Sequence, residues 1–144
     1  MILSNLSILV IFLTSFNLSN SAILNRGWLE YWYPNYKTVS KIDLTRYDID
    51  TVDPNTFIDL NNVNELYLTS NQISKIDDVS TFSGLLNLKI LSLANNSLFL
   101  LNQNIFVGLI NLEIIYLGNN PISETEPDYV RSLCSKNPKC IIYI

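Results

Sequence analysis

Apolar residues return along this chain in a fixed frame. Val39/Ile42/Leu44/Ile49, Val63/Leu66/Leu68/Ile73, Leu88/Leu91/Leu93/Leu98 and Leu112/Ile115/Leu117/Ile122 follow one another at 24 or 25 residues. Within each unit a triplet (Ile42-Asp43-Leu44, Leu66-Tyr67-Leu68, Leu91-Ser92-Leu93, Ile115-Tyr116-Leu117) alternates inward and outward positions with period two, which predicts a short strand buried on one side. A single unit cannot cover its own apolar face. Four in succession therefore predict stacked units whose strands form a parallel sheet over one shared core.

The polar positions repeat too. Three residues after the second aliphatic stand Tyr47, Asn71, Asn96 and Asn120. A side-chain amide there both donates to and accepts from the backbone of the turning loop, so these asparagines are expected to be structural. Tyr47 departs from the pattern and predicts a first turn sealed differently, against an N-terminal cap. A second apolar spine, Phe57, Phe82 and Phe106, is followed at three residues by Leu60, Leu85 and Leu109, and predicts stacked rings on the outer side of the units.

The ends differ from the middle. Before the first unit Trp28, Tyr31, Trp32, Tyr33 and Tyr36 crowd together, read as an aromatic cap over residues 22–38, with an exposed binding patch as the alternative. After the last unit Thr125-Glu126-Pro127-Asp128 predicts a helix start, with Tyr129, Val130, Leu133 and Cys134 on one face and Pro138 ending it. The tail Cys-Ile-Ile-Tyr-Ile is strand-like. At the other extreme, Leu6 to Leu13 is almost unbroken hydrocarbon and Ser19-Asn20-Ser21 places small residues at −3 and −1, which predicts a signal peptide over residues 1–21 cut after Ser21. The polar residues within that stretch argue against the alternative, an uncleaved membrane anchor. A secreted chain with two cysteines predicts a Cys134–Cys140 disulfide closing a C-terminal cap over 126–144.

Charge and composition narrow the chemistry. The chain has 144 residues, a net charge of −4 and no histidine, with no basic block, so nucleic acid is not an expected partner. The acids at Asp43, Asp48, Asp50, Asp53 and Asp59 lack the spacing and glycine of an EF-hand loop and read as solvated turn acids. Without histidine or a second cysteine pair, no metal site is expected. No activated nucleophile or glycine-rich phosphate loop appears, so neither an enzyme nor a cofactor is expected.

With these four registers and their asparagine and phenylalanine positions, residues 39–125 resemble the extracellular leucine-rich-repeat family of the 24-residue type, as in Toll-like receptor ectodomains. The resemblance implies an α/β architecture: a right-handed curved solenoid with short parallel strands on the concave face, an irregular or 3-10 convex side, and a C-terminal capping helix. Many family members use four cysteines in that cap, and this chain has two. The resemblance also implies that the concave sheet binds a protein, or sometimes a lipid or glycan. On that face the outward column is Asp43, Tyr67, Ser92, Tyr116, beside Lys41, Glu65, Ile90, Ile114 and Thr45, Thr69, Ala94, Gly118. Asp43, Tyr67, Ser92, Tyr116, Glu65, Ile90 and Ile114 are the candidate partner-binding residues, with the two tyrosines as anchors. Asn95-Asn96-Ser97 is a glycosylation acceptor at the rim; Asn5 and Asn17 head two more within the signal segment. The expected function is a secreted recognition module for an extracellular protein, of innate-immune type or a soluble decoy of Toll-type receptors. Self-association through the caps in adhesion or matrix, and inhibition of a secreted enzyme, are the alternatives.

Overall fold

The computed structural model describes residues 22–135 and 137–144, so the expected signal peptide lies outside the described residues. In chain order the elements are β1 (Ala22–Leu24), α1 (Arg26–Trp32), β2 (Lys41–Asp43), β3 (Ile49–Val52), β4 (Glu65–Tyr67), β5 (Lys75–Ile76), β6 (Ile90–Ser92), β7 (Leu100–Leu101), β8 (Ile114–Tyr116), α2 (Pro121–Thr125), α3 (Pro127–Ser132) and β9 (Ile141–Tyr143). The stack is a curved solenoid. Its concave face is one parallel sheet in the order β2-β4-β6-β8-β9, with Ile42, Leu66, Leu91, Ile115 and Ile142 side by side in register. Two further parallel pairs, β1–β3 and β5–β7, form away from that sheet.

Both aliphatics of every triplet are buried to completion, from Ile42 and Leu44 to Ile115 and Leu117. The strands are only three residues long, so most backbone groups of each unit must find partners outside the sheet. Asparagine supplies them. Asn96 Nδ2 donates to the Leu68 and Leu93 carbonyls at 2.9 and 3.0 Å, while its Oδ1 accepts from Ile73 N–H at 3.1 Å. Asn71 and Asn120 repeat this one unit down and one unit up, and Asn71 Oδ1 also accepts from Tyr47 N–H. The ring of Tyr47 leaves the frame and packs edge-on to Trp28 at 5.4 Å. The residue before each of these positions has positive φ: Arg46, Ser70, Asn95 and Asn119.

On the convex side each unit descends through successive i→i−3 hydrogen bonds, such as Thr81 to Asp78, Ser83 to Ser80, Leu85 to Phe82 and Leu88 to Leu85. The rings of Phe57, Phe82 and Phe106 stack at 6.2 Å spacing inside these turns. Gly84 passes so close to the unit below that a Cβ would lie 2.6 Å from the Phe57 carbonyl oxygen, and its φ is +95°. Gly108, one unit later, has open space around it.

The ends differ from the sequence expectation in one place. A helix does follow the last unit, but it starts at Pro121 and is broken into α2 and α3 at Glu126, whose φ of −135° and ψ of 56° are non-helical. Pro127 is the cause: it has no N–H to continue the helix and forces the preceding residue out of the α region. Thr125 caps nothing at its start; its hydroxyl donates back to the Pro121 carbonyl. The Cys134–Cys140 disulfide holds a segment that pairs as a fifth strand of the concave sheet, and from there Cys140 and Ile142 pack against the core.

Candidate concave binding face

The five strands place their outward residues in columns. The central one runs Asp43, Tyr67, Ser92, Tyr116, Tyr143, and beside it run Lys41, Glu65, Ile90, Ile114, Ile141. The two halves of this surface behave differently.

At the N-terminal half the side chains engage one another. Lys41 Nζ lies 3.6 Å from Asp43 Oδ2 and 4.5 Å above the ring of Tyr67, whose hydroxyl donates to Glu65 Oε2 at 3.1 Å. Hydrogen bonds from Thr45 hold the Asp43 carboxyl below its ordinary value, against partial burial. Partial burial, then the hydrogen bond to Glu65, pushes the Tyr67 hydroxyl upward. The free edge of β2 is closed as well: Tyr33 offers its hydroxyl to the Asp43 carbonyl and accepts from Asp43 N–H, standing in for a further strand.

Ser92 stands between the two halves. It is buried, and its hydroxyl is 2.6 Å from that of Thr69. A short side chain flanked in register by Tyr67 and Tyr116 has no access to a partner, so the central column is interrupted there.

At the C-terminal half the surface is apolar and open. Tyr116 is 36% exposed and Tyr143 50%, and their rings stack at 5.2 Å with 20° between planes. Ile90 and Ile114 are half-buried beside them, Ile141 is exposed, and the Lys89–Glu113 ion pair at 3.4 Å borders the strands. Ile141 and Tyr143 were absent from the sequence-derived set. A signal for them existed. Asn137…Ile141-Ile142-Tyr143-Ile144 echoes Asn111…Ile114-Ile115-Tyr116-Leu117, and Asn137 Nδ2 donates to the Leu112 carbonyl just as Asn111 Nδ2 donates to the Leu86 carbonyl. The helices and Cys140 lengthen that last interval and hide the frame.

Asn95 lies exposed on the turn after β6, its Oδ1 accepting from Asn119 Nδ2 at 2.8 Å. Among the described residues no group of three His, Cys, Asp or Glu could hold a metal ion, and no helix is long and apolar enough to cross a membrane.

Comparison with known proteins agrees with this geometry. A family model described as leucine rich repeat matches residues 77–122. Residues 77–122 thus carry the leucine-rich repeat, and the stack to which they belong has the leucine-rich-repeat fold. Its fold is similar to a chain in the crystal structure of a TLR13–ssRNA13 complex, with a TM-score of 0.72 and 23% identity. That superposition covers 86% of this chain but 17% of the other, so it spans a small part of the structure it matches. No curated protein matches by sequence.

Proposed function

We propose that this protein is a secreted recognition module that captures an extracellular protein through the C-terminal half of its concave sheet. The observation that carries the reading is the stacked, exposed pair Tyr116–Tyr143 beside Ile90, Ile114 and Ile141. A pre-stacked aromatic pair loses little conformational freedom on binding, and an apolar centre with hydroxyls at its margin is the composition of a protein-binding hot spot. The N-terminal half favours the partner less, because Lys41, Asp43, Glu65 and Tyr67 already satisfy one another.

The solved structure of similar fold is a complex with ssRNA13, and that ligand does not suit this surface. Here the net charge is −4, and Lys41 on the concave face and Lys89 at its border are both paired with carboxylates. A Toll-type frame with an apolar, tyrosine-bearing concave half fits a competitor for the protein ligand of a Toll-type receptor. A glycan at Asn95 would stand on the rim beside the apolar half and restrict approach from that side. The alternative, self-association, is favoured by one observation: Ile141 and Tyr143 on β9, and Ile144 just after it, are all exposed.

The test is capture from extracellular fluid with the tagged chain as bait, run beside Tyr116→Ala/Tyr143→Ala and Tyr67→Ala. Partners held by the wild type and Tyr67→Ala and lost from the double variant support the reading. Equal capture by all three sinks it. Sedimentation of the chain alone over a hundredfold concentration range checks self-association, and a single monomeric species excludes it.

A further inference from the structure

We infer that the chain is hydrolysed between Ser21 and Ala22, and that the α-ammonium group this releases forms an ion pair with the Asp50 carboxylate, fastening β1 into the N-terminal cap. The cut is indicated by the sequence: an apolar run followed by Ser19 and Ser21 at the −3 and −1 positions of a signal-peptidase-type site. The receiving group is indicated by the structure. Ala22 opens β1, and its backbone nitrogen lies 2.8 Å from Asp50 Oδ2, across 28 residues of sequence, in a partly buried setting.

The local backbone shows why this carboxylate is aimed there. Ala22 pairs with Ile49, but Ile23 pairs with Thr51, so the register skips Asp50. A residue left out of the ladder by such an irregularity has its side chain re-aimed, and Asp50 turns back onto the first nitrogen of the neighbouring strand. Ion pairs among the described residues involve Arg26, Lys41, Lys75, Lys89 and Arg131 and leave Asp50 without a cationic side chain. The carboxylate therefore has a place for a positive charge at the Ala22 nitrogen. Leu24, two residues on, is 1% exposed in the core, and its carbonyl accepts from Asp53 N–H, so β1 cannot shift without opening the cap.

The chemistry balances simply. Water adds across the Ser21–Ala22 amide; its hydroxyl goes to the Ser21 carbonyl carbon and a proton to the Ala22 nitrogen, which takes a second proton from solvent at neutral pH. One amide donor becomes an ammonium with three donors and a unit charge at the same place. Charge-assisted hydrogen bonds are shorter and stronger than neutral ones, so the processed chain holds β1 more tightly than its precursor.

The test uses the full-length chain expressed in secreting cells and recovered from the medium. N-terminal sequencing and intact mass are expected to give Ala22 as the first residue; any other first residue, Met1 included, overturns the inference. The α-amine is then acylated at pH 7 with the lysines as internal reference. Because ion pairing keeps the amine protonated, labelling in the wild type is expected to run about threefold to tenfold slower than in Asp50→Asn, and equal rates overturn the ion pair. If Asp50→Asn is not secreted, the wild type is compared folded and in urea, with slower labelling when folded expected and equal rates again decisive against it.

Discussion

Asn96 ties two units together through one amide, which accepts from the Ile73 N–H below and donates to carbonyls of both units. Replacing Asn96 with Ala would leave the Ile73 N–H buried without a partner, while the Leu68 and Leu93 carbonyls would each keep one asparagine donor, from Asn71 and Asn120. The expected cost is about 1–3 kcal/mol, read as a lower urea midpoint at unchanged slope. The two glycines of the convex turns separate space from habit. Gly84→Ala meets the Phe57 carbonyl oxygen and a φ of +95°, and should cost about 2–4 kcal/mol. Gly108→Ala meets nothing and should stay within about 0.5 kcal/mol in the same assay. The sequence could not rank these two, since both occupy the same place in Phe-x-Gly-Leu. The difference lies in what the unit below presents. Acid acts at this scale as well. Hydrogen bonds from Ser80 hold Asp78 below the ordinary carboxylate value, as those from Thr45 hold Asp43. A depressed folded value stabilises the fold above the unfolded value and is lost as pH falls through the folded one. Thermal midpoints should therefore drop on acidification below about pH 4, and less so in Asp43→Asn/Asp78→Asn.

The strands show how legibility depends on interval. Four of the five concave strands follow a 24- or 25-residue frame and were readable from their aliphatics alone. The fifth was not, because α2, α3 and the added Cys140 stretch the spacing from Ile115 to Ile142 while the hydrogen-bonded register persists. Ser92 is buried for a reason that alternation does not carry. Alternation fixes which way a strand residue points, but the flanking tyrosines decide whether anything can reach it. β9 is held by the sheet on one side and by the Cys134–Cys140 bridge at its start. Closing so short a loop stabilises the cap by about 2 kcal/mol in the chain-entropy account. Reduction should accordingly raise amide exchange in Ile141–Tyr143 first, with Glu65–Tyr67 unchanged. Uniform loss of protection along the sheet would contradict this placement.

At the scale of the whole molecule, the two ends of the concave sheet are treated oppositely. The β2 edge is closed by the Tyr33 hydroxyl and followed by a polar network that is internally satisfied, whereas the β9 end presents stacked tyrosines and isoleucines. This asymmetry grows out of the frame without being fixed by it: the same outward positions carry Lys, Asp and Glu in early units and Ile and Tyr in late ones. The repeat therefore sets the fold, and the outward column is the part of it that the proposed partner would read. The decisive measurement is hydroxyl-radical footprinting of the chain with and without a captured partner. Protection of Tyr116, Tyr143 and Ile141, with Tyr67 and the convex Ile110 unchanged, is the expected result. Protection confined to the convex turns or to the Trp28–Trp32 cap, with Tyr116 and Tyr143 still reactive, would contradict it.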